Sequence, residues 1–288
     1  MGESLALMAT FLFASSHVTV KRYLRSTSII AAVLVSLLGA WLVVGIVVIA
    51  RPPTTIRLHG VVLFLLAGIA APGMARWAAM SGVMHLGPST AIPIQQAVRP
   101  LLAVGGAILL LGESPSLLAI VGIAAIVVGA CYLSLSIAPE PLDLKHSRRW
   151  RLSYPFLAGV SYAVADLFAK EAVSTLSEPL FGAFLSTSAA LVIWGGAALV
   201  SRNLRQSIVL GEGPWWMLLS GAMAGLALVT LFMALELAPV SIVTPIASAQ
   251  PFAVFLLSWV FLRDVETVTR PMVVAGACVM GGTVIVAM

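Results

Sequence analysis

The chain repeats itself at about half its own length. His85-Leu86-Gly87-Pro88, Pro100 and Glu113 return 151 positions later as Glu236-Leu237-Ala238-Pro239, Pro251 and Asp264. Arg51 and Arg202 stand at the same offset, and Lys21 and Lys170 at 149. A period of that length restricts the fold to two copies of one unit. The unit is built of apolar runs, so the two copies are expected to lie in a bilayer.

Hydrophobic residues make up 60% of the chain and charged residues 9%, against roughly 45–50% and 25% in an ordinary soluble domain. A water-soluble fold cannot hide that much apolar surface. The net charge of +5 is scattered singly among candidate loops, which excludes a nucleic-acid face. Cys131 and Cys278 lie in apolar runs without a CxxC, so neither a disulfide nor a metal site is expected, and no cofactor is implied.

Apolar runs bounded by charge, proline or glycine predict helices over 4–22, 28–50, 59–84, 89–111, 116–137, 153–172, 180–201, 214–235, 241–262 and 271–288. Strands are excluded because an open strand in lipid leaves backbone groups unpaired. The first run lacks a basic leader and continues past Ala14-Ser15-Ser16, so it reads as a retained span. The expected fold is all-α and integral to the membrane, with ten transmembrane helices as two inverted five-helix repeats, 1–137 and 153–288, joined by a polar linker at 138–152. Five is odd, so the second repeat enters the bilayer from the opposite side, and such pairs hold a substrate at their midplane interface. Orientation stays open. Lys21, Arg22, Arg25, Lys145, Arg148, Arg149, Arg151, Arg202, Arg205, Arg263 and Arg270 lie on one side against Arg51, Arg57 and Lys170 on the other, which by charge alone puts both termini outside.

Ionisable residues deep in a span cost a few kcal/mol or more, about 2.5–3.5 on insertion scales, and normally face a cavity or a partner. His17 precedes Lys21 by one turn, and Asp166 precedes Lys170 by one turn, so the pairs are symmetry mates. Arg76 and Arg99 sit about 13–15 Å below one membrane face at 1.5 Å per residue. Arg99 matches Gln250, each directly before a proline, and Pro93, Pro100, Pro245 and Pro251 are expected to break or hinge their helices. Gln95, Gln96 and Gln250 add amides in the same neighbourhood.

Each position carries two readings. Arg76 either neutralises Asp166 or Glu236 or lines the substrate path. His17 is a proton relay or a packing histidine. Lys21 and Lys170 snorkel to the headgroups, and Trp150, Trp215 and Trp216 anchor at the interface. Trp77 and Tyr162 stack on substrate or fill the core. Small residues in spans 5 and 10 (Gly122, Ala125 and Gly129; Gly276, Gly281 and Gly282), with Gly221 and Gly225 in span 8, mark helix packing or a homodimer seam.

Two five-span units, each with an L-(G/A)-P turn into its fourth span, a mid-span proline, a closing acid and a glycine-patterned fifth span, resemble the EamA-like family of the drug/metabolite transporter superfamily. The resemblance covers almost the whole chain. It implies ten helices, cytoplasmic termini, a central cavity lined by spans 1, 3, 4, 6, 8 and 9, and export of amino acids or other small metabolites across a cell membrane, here taken as a prokaryotic cytoplasmic one. Two departures stand out: Phe13-Ala14-Ser15-Ser16-His17 replaces the usual Trp- and Asn-bearing first span, and Arg99 replaces a usually apolar residue.

The expected activity is secondary transport by alternating access, with Arg99 and Arg76 on a substrate carboxylate and His17 and Asp166 coupling flux to protons. The alternative is a multidrug exporter with Asp166 as its cation site. An intramembrane enzyme lacks any HExxH or GxSxG, and a purely structural membrane protein does not need charge at mid-depth.

Overall fold

The computed structural model describes residues 1–21, 27–86, 88–136, 150–211, 214–261 and a few positions between 274 and 285. Residues 138–149 of the linker, Asp264 and most of the tenth apolar run lie outside the described residues. Every element described is helical.

The first half contributes α1 (Gly2–Lys21), α2 (Ile29–Ala50), α3 (Leu58–Gly68), a π-helical segment (Ile69–Met74), α4 (Ala75–Leu86), α5 (Pro88–Leu110) and α6 (Leu117–Ser136). The second contributes α7 (Ser153–Leu176), α8 (Pro179–Val200), a short α9 (Arg202–Gln206), α10 (Pro214–Leu237), α11 (Val240–Ser248) and α12 (Gln250–Phe261). Among the described residues, five helical stretches are long and apolar enough to cross a bilayer: Ile29–Ala50, Leu58–Leu86, Trp150–Leu176, Pro179–Val200 and Pro214–Leu237. Ile94–Leu110, Leu117–Gly129 and Val240–Val254 are apolar but shorter. The chain is an integral membrane protein.

The halves exchange elements. Helix α1 packs on α10, α11 and α12 of the second half, while α7 packs on α3, α4 and α5 of the first. Backbone breaks likewise meet side chains of the other half. Ala71 leaves the helical region (φ −148°, ψ 126°) inside the π segment, and Trp194 Nε1 donates to the nearby Gly73 carbonyl at 3.2 Å. Between α11 and α12, Ala249 (φ −72°, ψ 8°) interrupts the helix; there the Ile246 carbonyl accepts from the Ala249 amide at 3.1 Å, with Thr10 Oγ1 of α1 against it at 3.0 Å beside its shorter bond to the Ala6 carbonyl at 2.7 Å. An unsatisfied main-chain group in an apolar interior costs about 1–3 kcal/mol, so the bond from Trp194 supports the first-half break from the other half.

Two expectations about prolines need correction. Helix α5 runs through Pro93 and Pro100 without interruption; a buried proline forfeits one hydrogen bond, which neighbouring helices can tolerate. The side chain of Pro93 lies outside the described residues. In the second half Pro245 sits inside α11 and the break falls just before Pro251. The interruption in the first half falls instead at Ala71-Pro72-Gly73, in the third apolar run, which the sequence reading took as continuous.

Most of the glycine pairs pack inside the chain. A β-carbon at Gly221 would run into the main chain of Ser36, and one at Gly39 into that of Leu218, so α2 and α10 approach backbone to backbone. Gly282 stands against Gly122 in the same way.

One face of the bundle, carrying residues 51–57, 111–116, 177–178 and 238–239, is tightly stitched. Glu113 takes hydrogen bonds from the amides of Val240 (2.7 Å) and Ser241 (2.9 Å) at the start of α11. Lys170 does not snorkel away; Nζ donates to the carbonyls of Leu235 (2.6 Å) and Ala238 (3.0 Å) at the end of α10. An anion at a helix N-terminus and a cation at a C-terminus each favour the helix dipole. Glu178 Oε1 accepts from Thr54 N and Oγ1; the carboxyl is held below its ordinary range because these bonds outweigh the upward push of its slight burial. Beneath this face Ala6, Ala9, Ala103, Ala107, Val240 and Val243 are fully buried.

Gly221→Val is expected to destabilise the protein by about 1–3 kcal/mol through overpacking, read as a lowered Tm in detergent. Gly195→Ala, where nothing lies within 4 Å of the new carbon, serves as the control and leaves Tm unchanged or slightly raised.

Candidate functional site

A central cavity of about 460 Å³ lies between the halves. Its lining comes from α1 (Phe13, Ser16, His17), the π segment and α4 (Pro72, Arg76), α5 (Gln95, Gln96, Arg99), α7 (Tyr162, Asp166), α10 (Leu228, Phe232) and α12 (Gln250, Pro251). It reaches Val18, Val83 and Ile92, each about one turn from a helix end on the face opposite the stitched one.

The strongest interaction in the lining is the ion pair of Arg99 and Asp166. Arg99 Nε donates to Asp166 Oδ2 at 2.9 Å and an Nη donates to Oδ1 at 3.0 Å. The two side chains are only 3% and 5% exposed. Thr244 Oγ1 of α11 adds a third donor to Oδ2 at 3.1 Å, and the Arg99 guanidinium lies 5.2 Å from the Tyr162 ring centre. Two parallel bonds in a fork are the best geometry an arginine can offer a carboxylate. The pair therefore cancels its own charge and joins α5, α7 and α11.

Arg76 stands differently. Its position one turn past the helix break aims it into the cavity, yet its Nε is buried without a hydrogen-bond partner and it forms no ion pair among the described residues. Of the two readings of Arg76, its neutralisation by Asp166 or Glu236 is not seen among the described residues, and Arg99 holds Asp166. His17 lines the same cavity, near Arg76 and Gln250. Gln250 Oε1 accepts from Gln96 Nε2 at 2.9 Å, whereas Gln95 Oε1 is buried without a partner among the described residues.

Of the residues singled out by sequence, the fold brings His17, Arg76, Gln95, Gln96, Arg99, Tyr162, Asp166, Gln250 and Pro251 to one cavity. Trp77 is not among its walls; it packs edge-on against Tyr154 and beside Trp194, with ring centres 5.7 and 6.2 Å apart. Lys170 belongs to the stitched face. Sequence reasoning missed Thr244, the third donor to Asp166, which carries no signal in a span read as apolar. It also missed the break at Pro72-Gly73, for which that dipeptide was the available cue.

The sequence profile of the EamA-like transporter family matches residues 1–135 and 150–288. The chain belongs to that family. Its members are membrane transporters of the drug/metabolite superfamily, with the two-repeat architecture seen here. A solved crystal structure, described simply as that of a protein, superposes on this transporter with a TM-score of 0.78, covering 100% of this chain and 98% of its own at 16% sequence identity. That likeness is one of fold. No curated protein matches the transporter in sequence.

Removing either partner of a buried ion pair leaves an uncompensated charge, so Arg99→Leu and Asp166→Leu are each expected to cost about 3–5 kcal/mol. The double variant should lose much less than the sum. Thermal or denaturant unfolding of all four proteins in detergent checks this, and additive losses would mean that the pair is not coupled.

Proposed function

We propose that the chain is a ten-span secondary transporter that exports a small organic anion by alternating access across a prokaryotic cytoplasmic membrane. Residues 1–137 and 153–288 act as its two repeats, joined by residues 138–152. The single observation that carries this reading is Arg76, a guanidinium on the cavity wall with an unpartnered Nε and no counter-ion among the described residues. A lone cation in an apolar setting is costly and is relieved by a bound anion.

Arg99 supports this role indirectly. Its charge is spent on Asp166, so it positions the wall of α5 and leaves Arg76 as the anchor. Gln95, Gln96 and Gln250 supply amides around the bound group, and Tyr162 supplies an aromatic edge. The cation-exporter alternative loses its anion for the same reason, since Asp166 already receives three hydrogen bonds.

Proton coupling falls to His17. It faces the cavity beside Arg76 and Gln250, whereas Asp166 is locked in its pair. Alternation would open the stitched face by parting Glu113 from α11 and Lys170 from the end of α10.

In proteoliposomes, Arg76→Ala is expected to lower flux of the anion more than about thirtyfold, the equivalent of about 2 kcal/mol for loss of a buried charge partner. Arg76→Lys retains part of it. Undiminished flux through Arg76→Ala would end the anion reading. Collapsing the pH gradient should slow the native protein and leave His17→Gln unaffected; equal sensitivity of both would remove His17 from the coupling.

A further inference from the structure

We infer that the ligand of the central cavity is a monoanion with an apolar body, bound in preference to zwitterions and dianions. This rests on the anion reading given above and narrows it.

Charge sets the first limit. Four charged or readily protonated side chains line the cavity: His17, Arg76, Arg99 and Asp166. Arg99 and Asp166 neutralise each other through two hydrogen bonds, which with His17 neutral leaves one uncompensated guanidinium. One negative charge balances it, and a second would stand unpaired in a wall made mostly of hydrocarbon.

The second limit is the want of a free carboxylate for an ammonium group. An amide oxygen or an aromatic face can hold such a group, but only a carboxylate cancels its charge. Asp166 is the one acid in the lining among the described residues, and three of its roughly four acceptor positions are filled by Arg99 and Thr244. Glu113 is committed to the start of α11 and Glu178 to Thr54. The Tyr162 ring already carries Arg99, and Trp77 packs on Tyr154 and Trp194 outside the lining. What remains for the rest of the ligand is Phe13, Leu228, Leu231, Phe232 and Ile92, together with neutral amides. Hydrocarbon of this kind takes an apolar body.

Four probes with one phenyl body and different head groups test the inference on the purified full-length protein by isothermal titration calorimetry. They are 3-phenylpropionate, phenylalanine, phenethylammonium and phenylsuccinate. 3-Phenylpropionate is expected to bind at least about tenfold more tightly than each of the others, a difference of about 1.4 kcal/mol. Arg76→Gln should abolish that preference and Arg76→Lys should keep it in weakened form. Size-exclusion profiles and melting curves confirm that the variants are folded.

Phenylalanine or phenylsuccinate binding as tightly as 3-phenylpropionate, with both lost in Arg76→Gln, would overturn the monoanion inference and leave the anion reading intact. Preferred binding of phenethylammonium, or anion binding unchanged in both Arg76 variants, would overturn the anion reading itself. Failure of all four probes to bind would overturn the assignment of an apolar body.

Discussion

A guanidinium inside an apolar slab has to meet a carboxylate of its own chain or an anion from elsewhere. Arg99 takes the first course and Arg76 the second. The pairing of Arg99 with Asp166 is what allows the difference: it removes the acid from the cavity's chemistry and ties α5 to α7, and through Thr244 to α11. Were Asp166 paired with Arg76 instead, Arg99 would be the guanidinium left over, because two cations and one acid line the cavity in either arrangement. One fork of hydrogen bonds thus decides both how three helices are held and which charge is left over for a ligand.

The same rule of internal satisfaction explains why the halves exchange elements. Helix breaks near a binding site release main-chain carbonyls, and lipid offers them nothing. Trp194 reaches across from the opposite half to donate to the Gly73 carbonyl, and Thr10 lies against the Ile246 carbonyl at the other break. Neither repeat completes its own interior, so the packing of α1 on α10 and of α7 on α3 and α4 is a condition of stability as well as a product of symmetry. The stitched face shows the electrostatic counterpart. Glu113 and Lys170 sit at the two helix ends that meet at the Ala238-Pro239 turn, where opposite dipole ends call for opposite charges.

Much of this was legible before any coordinates. The 151-residue offset and the apolar runs foretold an all-helical membrane protein of two like halves, and mid-span charge picked out His17, Arg76, Arg99 and Asp166. Charge in a span is a strong signal because its cost is independent of the sequence around it. Partnership was not legible. Arg76 and Arg99 lie at similar depths on adjacent helices, and nothing in their spacing says which one faces Asp166. The helix breaks were half legible: symmetric prolines marked the place in the second half, but α5 absorbs Pro93 and Pro100 while Pro72 interrupts the third run. A proline removes one hydrogen bond in each case, and only the surrounding packing determines whether the helix bends there or carries on.

The sequence by itself determined the solvent, the secondary structure and the symmetry, because hydrophobic run length and internal period act locally and need no knowledge of neighbours. Tertiary structure alone decided the electrostatics of the site, since ion pairing depends on distances of about 3 Å between residues 67 positions apart. It also decided that Trp77 packs outside the cavity lining, that Gly221 faces Ser36 within the same chain, and that Arg76 is left with an unpartnered Nε. Each of these is a matter of which side chain arrives first at a shared contact, and that is set by how helices from opposite halves lie against one another.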